Sequence, residues 1–179
     1  FVVQDEITKA ILSKIIPDVM SLSVGNSRVT NSFTPEVHLN RLKGRVAFES
    51  QSLEGIYEYE RLLNINKSLD PDNVYLDMDE AWFLMGKIWF GASDDPESDV
   101  KKAYELTLNT ANADPEFAYA VNLAAMIERN YLNKLDIACN RLSKLIQISV
   151  DPSNKASTAN LARHCEEYDI ALGIYKKIY

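Results

Sequence analysis

The side chains best suited to acid–base chemistry in this sequence are its two histidines, His38 and His164. A histidine catalyst must lie within hydrogen-bond reach of its substrate, and it usually has an orienting partner. The two histidines are far apart in the sequence, and neither has an evident carboxylate partner. The sequence also lacks the GxxxxGK(S/T), GxGxxG, GxSxG and HExxH patterns that hold phosphates, nucleophiles or zinc. It therefore predicts no enzyme, and no catalytic, cofactor-binding or metal-binding residue.

Acidic residues cluster in the segment 94–99, which has the sequence Asp-Asp-Pro-Glu-Ser-Asp. Calcium loops of the EF-hand type need oxygen ligands at alternate positions, a central glycine and a distal glutamate. The segment lacks that spacing. We therefore interpret it as a solvated loop that caps the helix following it.

The two cysteines, Cys139 and Cys165, lie in stretches with helical patterns. They form no CxxC pair, and the histidine nearest to either of them is the adjacent His164. Free cysteines are usually buried as small apolar side chains, so two unpaired thiols are the preferred interpretation. A disulfide and a metal site are the alternatives. Unpaired thiols are compatible with the cytoplasm, where we expect this chain, with the periplasm as the alternative if its parent protein is a membrane-anchored activator.

The composition is typical of a globular protein, with 46% of its 179 residues hydrophobic and 25% charged. The net charge of −7 argues against binding to nucleic acid or to an anionic membrane surface, because both attract an excess of Lys and Arg. The sequence contains no run of 18 apolar residues, so we expect no membrane insertion. The first residue is Phe1 rather than Met, and we interpret the chain as part of a longer protein.

Three regions are predicted along the chain. Residues 1–20 form an amphipathic helix, because apolar residues recur there at four-residue spacing. Residues 21–33 are rich in Ser, Asn and Thr without a helical period, which predicts a linker. Residues 34–179 carry successive helical patterns, beginning at Thr34 and Pro35, which suit the N-cap and the first turn of a helix.

A repeated Asp-Pro pair divides the third region. The pairs end at Pro71, Pro115 and Pro152, and each follows one helical stretch and precedes another. Proline disfavours continuation of a helix, so each pair predicts a helix boundary. The intervals of 44 and 37 residues are longer than the roughly 34 residues of a tetratricopeptide repeat (TPR), which is a pair of antiparallel helices.

The second helix pair shows the clearest TPR signature. Trp82, Met85, Gly86 and Trp89 match the spacing of W-x2-L-G-x2-Y, in which the glycine lets the paired helix approach closely. The repeats therefore predict an all-α fold: a TPR-like helical-hairpin solenoid of about three and a half diverged repeats, preceded by one amphipathic helix. A generic α-helical bundle is the alternative. The predicted repeat helices cover residues 35–50, 53–69, 78–90, a stretch around Ala103 that stops at Pro115, 115–129 and 132–150, with an incomplete hairpin after Pro152.

The opening segment FVVQDEI, residues 1–7, resembles the F-x-x-Q-D-E-I segment of bacterial signalling proteins in which a TolB-like module precedes TPRs. Segments 40–45 and 68–73 resemble the first repeat of those proteins. The resemblance implies that residues 1–20 are the tail of an upstream module. It also implies an output domain elsewhere in the parent chain, either a class III adenylate or guanylate cyclase or a winged-helix transcriptional activator.

The first helix of each TPR hairpin lines a concave groove, which is the surface that such repeats commonly use for binding. Counting helical steps from Gly44, Gly86 and Ala125 places four side chains of each hairpin in that groove. Four of these side chains are cationic and one is acidic, so we predict a locally positive groove with an aromatic floor that binds an acidic or C-terminal peptide. The alternative is that these are ordinary solvated residues. The predicted groove residues are His38, Arg41, Arg45, Phe48, Glu80, Phe83, Lys87, Phe90, Tyr119, Asn122, Met126 and Arg129.

These features favour a non-catalytic function: a protein–protein interaction and regulatory module that binds a peptide or a partner domain. The alternative is a structural homodimerisation arm of a cyclase or activator. We expect no cofactor. If the groove hypothesis is correct, reversing the charges of Arg41 and Arg45 together abolishes peptide capture, and unchanged binding rejects the hypothesis. We also expect neighbouring hairpins to bury Trp82, Met85, Trp89, Tyr104 and Leu108.

Overall fold

The computed structural model describes residues 33–149 and 151–178, and the predicted amphipathic helix over residues 1–20 lies outside them, as does the linker to residue 32. Every regular element in the described ranges is an α-helix, as predicted, and none has the length and apolar character of a membrane span. The chain divides into two compact units, Phe1–Asn73 and Val74–Tyr179. The helices are α1 (Pro35–Glu49), α2 (Leu53–Leu69), α3 (Val74–Trp89), α4 (Pro96–Ala113), α5 (Ala118–Asn130), α6 (Leu135–Asn140), α7 (Leu142–Ile148), α8 (Pro152–His164) and α9 (Tyr168–Ile178).

In the first unit, α1 and α2 form a hairpin whose ends are set by local hydrogen bonds. The Thr34 hydroxyl accepts a backbone N–H of the first turn, and Pro35 occupies the start of α1, as predicted. The Ser52 hydroxyl accepts the Gly55 N–H at 3.0 Å and caps α2. The backbone of α1 lies close to Gly55 of α2, where an added Cβ would be 2.2 Å from the Ala47 carbonyl oxygen.

The second unit contains three further helix groups: α3 with α4, α5 with the short helices α6 and α7, and α8 with α9. Ala103 of α4, at the predicted small position, is fully buried, so its helix can pack closely against α3. The Asp95 side chain accepts the Ser98 N–H at 3.1 Å, and α4 begins at Pro96. The acidic loop predicted before α4 is therefore shorter than expected, because its second aspartate already caps the helix.

The prediction of one continuous helix over residues 132–150 is wrong, because the structure breaks it into α6 and α7 at Arg141. The break coincides with a buried ion pair. Arg141 donates to the two carboxylate oxygens of Glu128 on α5 at 2.8 and 2.7 Å, and the Tyr104 hydroxyl of α4 donates to the same carboxylate at 2.6 Å. Glu128 is fully buried, so this network fixes α4, α5 and the α6–α7 junction together.

The aromatic residues of the TPR signature are only partly in the core. Met85 is fully buried and Trp82, Tyr104 and Leu108 are half-buried, but Trp89 is 40% exposed. The expectation that neighbouring hairpins bury Trp89 is therefore wrong. Trp89 is the last residue of α3, and its ring packs edge-on against Trp82 of the same helix, with centroids 5.6 Å apart.

The prediction of two unpaired thiols is also wrong, because Cys139 of α6 and Cys165 at the end of α8 form a disulfide. Their Cα atoms are 5.7 Å apart although 26 residues separate them in the sequence. The two cysteines meet because α6, α7 and α8 share one apolar cluster, which includes Leu142, Leu145 and Leu161. Sequence spacing alone does not reveal that contact.

Candidate functional site

A cleft of about 220 Å³ opens in the second unit, with lining residues from α3, α5 and α8. Residues of α5 and α8 supply most of the lining, and Trp82 is the contribution of α3. Aromatic and apolar side chains thus share this cleft with amides, hydroxyls and one guanidinium group. The lining residues are Trp82, Tyr119, Asn122, Leu123, Ala125, Met126, Arg129, Ser153, Asn154, Ser157, Asn160 and Leu161.

The α5 wall of the cleft contains all four groove residues predicted for the third hairpin. Tyr119, Asn122, Met126 and Arg129 follow one another at steps of three and four residues, so they share one face of the helix. Elsewhere on α5, Ile127 is fully buried and anchors the helix in the core. The structure therefore brings this predicted set into one cavity, while its role in binding stays a prediction.

The α8 wall consists largely of polar side chains that the sequence analysis missed. Ser153, Asn154, Ser157 and Asn160 lie within two turns of helix, after a start that the Asp151 side chain caps by accepting the Asn154 N–H at 2.9 Å. The signal in the sequence was the run of Ser and Asn at helical spacing directly after Pro152.

The two walls are joined by a hydrogen bond between asparagine side chains. The Asn122 amide donates to Asn154 Oδ1 at 3.0 Å. Asn154 is buried and also hydrogen-bonds the Asp151 carboxylate through its own amide nitrogen, so its orientation is set by two partners. This arrangement holds α5 and α8 at a defined separation along one edge of the cleft.

Arg129 provides the positive charge of the cleft. Its Nε donates to Asn130 Oδ1 at 2.8 Å and its Nη1 donates to Asn160 Oδ1 at 3.0 Å. Both partners are neutral amides, which orient the guanidinium without neutralising its charge. Burial, and after it the positive charge of Arg163, lower the pKa of Arg129 from its usual high value.

An aromatic edge extends from the cleft. Trp82 lines the cleft and packs edge-on against Trp89, whose Nε1 donates to the Tyr131 hydroxyl at 2.7 Å. Tyr131 follows the last residue of α5, so this hydrogen bond links the C-terminal ends of α3 and α5. Aromatic rings with one exposed polar edge are common at binding surfaces.

Two of the predicted groove residues of the first unit, His38 and Arg41, lie in the first half of α1. His38 is buried, and its Nδ1 has no hydrogen-bond partner in the described part of the chain. Burial, and after it the positive charge of Arg41, lower the pKa of His38, so the imidazole is neutral near pH 7. The Arg41 guanidinium lies 4.2 Å from the centroid of the Phe33 ring, a cation–π distance.

The remaining two predicted residues of α1 lie near the hairpin turn. Arg45 forms an exposed ion pair with Glu49 at 2.9 Å. Phe48 packs edge-on against Tyr59 of α2, with ring centroids 5.6 Å apart. These contacts partly satisfy the charge and the aromatic surface that the groove hypothesis assigns to a ligand.

The predicted groove residues of α3 are outside the cleft lining described above. Phe83 is buried, and Lys87 pairs with Asp99 of α4 at 3.1 Å. Glu80 likewise pairs with a lysine of α4, and Phe90 is half-buried just beyond the end of α3. The residue of α3 that lines the cleft is Trp82, although the TPR signature assigned it to packing within the hairpin.

Comparison with known proteins defines the fold class. No family model matches the chain, and no curated protein matches it. Among solved structures, a thermophilic TPR protein from Thermus thermophilus superposes with a TM-score of 0.58 and 14% sequence identity, covering 80% of this chain and 71% of that one. At this identity the likeness shows the fold alone. The prediction of an all-α, TPR-like helical-repeat fold is therefore confirmed.

Proposed function

We propose that this chain is a non-catalytic protein-interaction module that binds an extended peptide, or a segment of a partner protein, in the cleft between α3, α5 and α8. The proposal depends on one observation: three asparagines and two serines line a single cavity together with Trp82 and Arg129. Asparagine amides both donate and accept hydrogen bonds, as a peptide backbone does. The TPR-like fold supports the proposal, because helical repeats commonly bind partners along their surfaces.

The same lining offers little for catalysis. Ser153 and Ser157 have no histidine or carboxylate among the lining residues that could activate them as nucleophiles. The Arg129 guanidinium can donate hydrogen bonds but does not exchange protons near neutral pH. The cleft therefore suits binding better than catalysis.

Peptide selection tests this function directly. We expect a displayed library of random peptides with free C-termini to yield binders to the wild-type chain. Ser157→Phe should reduce their affinity at least about tenfold, because the exposed Ser157 is replaced by a ring that fills part of the cleft. Ser143→Phe is the matched control, since Ser143 is exposed on α7 outside the cleft lining. Failure to select any peptide, or equal binding by both variants, rejects the proposal.

The regulatory role in a bacterial signalling protein is part of the proposal and depends on the opening segment, residues 1–7. Its test is the coding sequence that surrounds this chain in its parent gene. A cyclase or winged-helix pattern there supports the role, and a parent protein with neither pattern rejects it.

The disulfide favours an oxidising compartment, because structural disulfides persist in the periplasm and outside cells but are rare in the cytosol. We therefore place this part of the protein in the periplasm rather than in the cytoplasm expected from unpaired thiols. Alkylation of the protein in its own cells, followed by mass spectrometry, tests this placement. Alkylated Cys139 and Cys165 without prior reduction would contradict it.

Homodimerisation is the second candidate function, favoured by one observation on α9. Tyr168 and Leu172 are 62% and 53% exposed and stand four residues apart, so they form an apolar stripe. Light scattering over a range of concentrations tests it. A dimer that Leu172→Glu converts to monomer supports this function, and a wild-type monomer at every concentration rejects it.

A further inference from the structure

Two arginines and a histidine converge at the C-terminal ends of α5 and α8. Arg129 belongs to the last turn of α5, and Arg163 and His164 end α8. One Arg163 guanidinium nitrogen lies 3.4 Å from His164 Nε2, and Arg129 reaches Asn160, one turn earlier on α8. We call Arg129, Arg163 and His164 the anion site.

The two arginines of the anion site have no acidic partner. Neither forms an ion pair within residues 33–149 and 151–178. By contrast, Lys87 and Arg141, two partly buried cations of the same unit, are paired with Asp99 and with Glu128. Arg129 is thus a partly buried guanidinium that amides orient and that no described carboxylate neutralises.

Bringing these groups together costs electrostatic free energy. Burial and the two arginine charges lower the pKa of His164, and Arg163 adds to the effect of burial on Arg129. The helix C-termini offset part of this cost, since their partial negative charge attracts cations. Arg129 can still donate to a ligand, because Asn130 and Asn160 use only two of its five N–H donors.

We propose that the anion site anchors a carboxylate of the peptide that occupies the cleft. Arg129 belongs both to the cleft lining and to the anion site, so a peptide lying in the cleft brings a carboxylate next to two guanidinium groups. The planar fork of a guanidinium matches the two oxygens of a carboxylate. The carboxylate is either the C-terminus of the peptide or an Asp or Glu side chain. This inference rests on the proposed function of the cleft.

Four labelled hexapeptides separate the two sources of the carboxylate: AEAEAE and AQAQAQ, each with a free or an amidated C-terminus. Fluorescence anisotropy gives their affinities for the wild-type chain. A loss on amidation assigns the terminal carboxylate, and a loss on replacing Glu by Gln assigns the side chains. A fifth probe, amidated AQAQAQ with one phosphoserine in place of a Gln, tests phosphate as the preferred anion.

Removal of the arginines tests the site itself. We expect Arg163→Gln to lower the affinity for the carboxylate probes about tenfold or more, because it removes a hydrogen bond to a charged group. The double variant Arg129→Gln with Arg163→Gln should lower that affinity further. The matched control is the pair Lys176→Gln and Lys177→Gln, which removes two exposed charges of α9 in the same unit. Because Arg163 is exposed, its single variant keeps the test valid if the double variant unfolds.

Several results would overturn the anion site. The proposal fails if the neutral probe, amidated AQAQAQ, binds as tightly as the carboxylate probes, or if Arg163→Gln leaves the affinity for those probes unchanged. It also fails if the α9 control loses as much affinity as the arginine variants. Binding of the phosphorylated probe alone, or of no probe, likewise overturns it. The proposed function is judged separately. If library peptides bind and Ser157→Phe abolishes that binding, the cleft function stands although the anion site has failed.

Discussion

The hairpin α1–α2 and the cleft of the second unit contain residues predicted by the same rule, yet they use them differently. In the hairpin, His38 is buried and the Arg45 charge is paired with Glu49. In the cleft, Arg129 is oriented by neutral amides and retains an uncompensated charge. A position on the first helix of a repeat therefore does not by itself make a binding residue.

The cleft depends on the helix that lies opposite α5. In the second unit, α8 faces α5 with a polar wall, and the Asn122–Asn154 hydrogen bond sets one edge of the space between them. In the first unit, the contacts of the predicted residues include Arg45 with Glu49 and Phe48 with Tyr59, both within the hairpin. A groove thus forms where the facing side chains of two helices leave a gap. It can be identified only when both helices are known.

The buried ion pair of the second unit should contribute more stability than the exposed pair of the first. Glu128→Ala leaves Arg141 and the Tyr104 hydroxyl without their buried acceptor, so we expect the free energy of unfolding to fall by about 3–5 kcal/mol. Glu49→Ala, which breaks an exposed pair with Arg45, should cost no more than about 1 kcal/mol. Urea denaturation followed by circular dichroism measures both. Equal losses would contradict the comparison.

The Cys139–Cys165 disulfide should stabilise the second unit, and the described part of the first unit contains no such link. Replacing Cys139 and Cys165 by Ser opens a loop of 26 residues, and the loop-closure argument predicts a loss of about 3.5 kcal/mol. The wild-type chain in excess reductant should show the same lowered Tm as the double variant. A Tm that reductant leaves unchanged would show that this link contributes nothing.

Two glycines in helices should respond in opposite directions to substitution by alanine. At Gly55 a Cβ would collide with the Ala47 carbonyl oxygen, so Gly55→Ala should destabilise the first unit by about 1–3 kcal/mol. At Gly173 of α9 an added Cβ meets no atom within 4 Å, so Gly173→Ala should stabilise by about 0.5–1 kcal/mol through helix propensity. Thermal unfolding distinguishes them, and a shared sign would reject this account of the α1–α2 contact.

The smallest expected effect is a pH dependence that His38 introduces. Its pKa is lowered below the ordinary 6.5, so above that pH the imidazole is neutral in both folded and unfolded chains. As pH falls below 6.5, the unfolded chain binds a proton that the folded chain does not, and the free energy of unfolding decreases. His38→Gln should flatten this slope, and His164→Gln, at the more exposed histidine, should flatten it less. An unchanged slope in His38→Gln would contradict the buried neutral imidazole.

Helix limits were predictable where they depend on neighbouring residues. The second helix was predicted over residues 53–69 and α2 is Leu53–Leu69, because a serine cap and a following Asp-Pro pair define it locally. α5 begins at Ala118 instead of residue 115, because the Asp114 side chain accepts the Glu116 N–H and the Tyr75 hydroxyl and so holds a turn there. That second contact spans 39 residues, which is beyond any local pattern.

Only the α5 part of the candidate site was predictable from the sequence. Helical period placed Tyr119, Asn122, Met126 and Arg129 on one face, and the structure finds all four in the cleft lining. The polar face of α8 was missed because helical steps were counted only in the first three hairpins. The contribution of Trp82 was missed because the TPR signature assigned that residue to packing within its hairpin.

The amino-acid order on its own determined that this chain forms helices, where most of them stop, and that they pair in a TPR-like manner. Caps, proline stops and apolar period act over a few residues, so they can be recognised without knowing the fold. Only the tertiary structure decided that Cys139 meets Cys165, that Glu128 is neutralised by Arg141, and that Arg129 is not neutralised at all. These outcomes depend on which side chains from distant segments come within a few ångströms, and packing of the whole unit sets those distances.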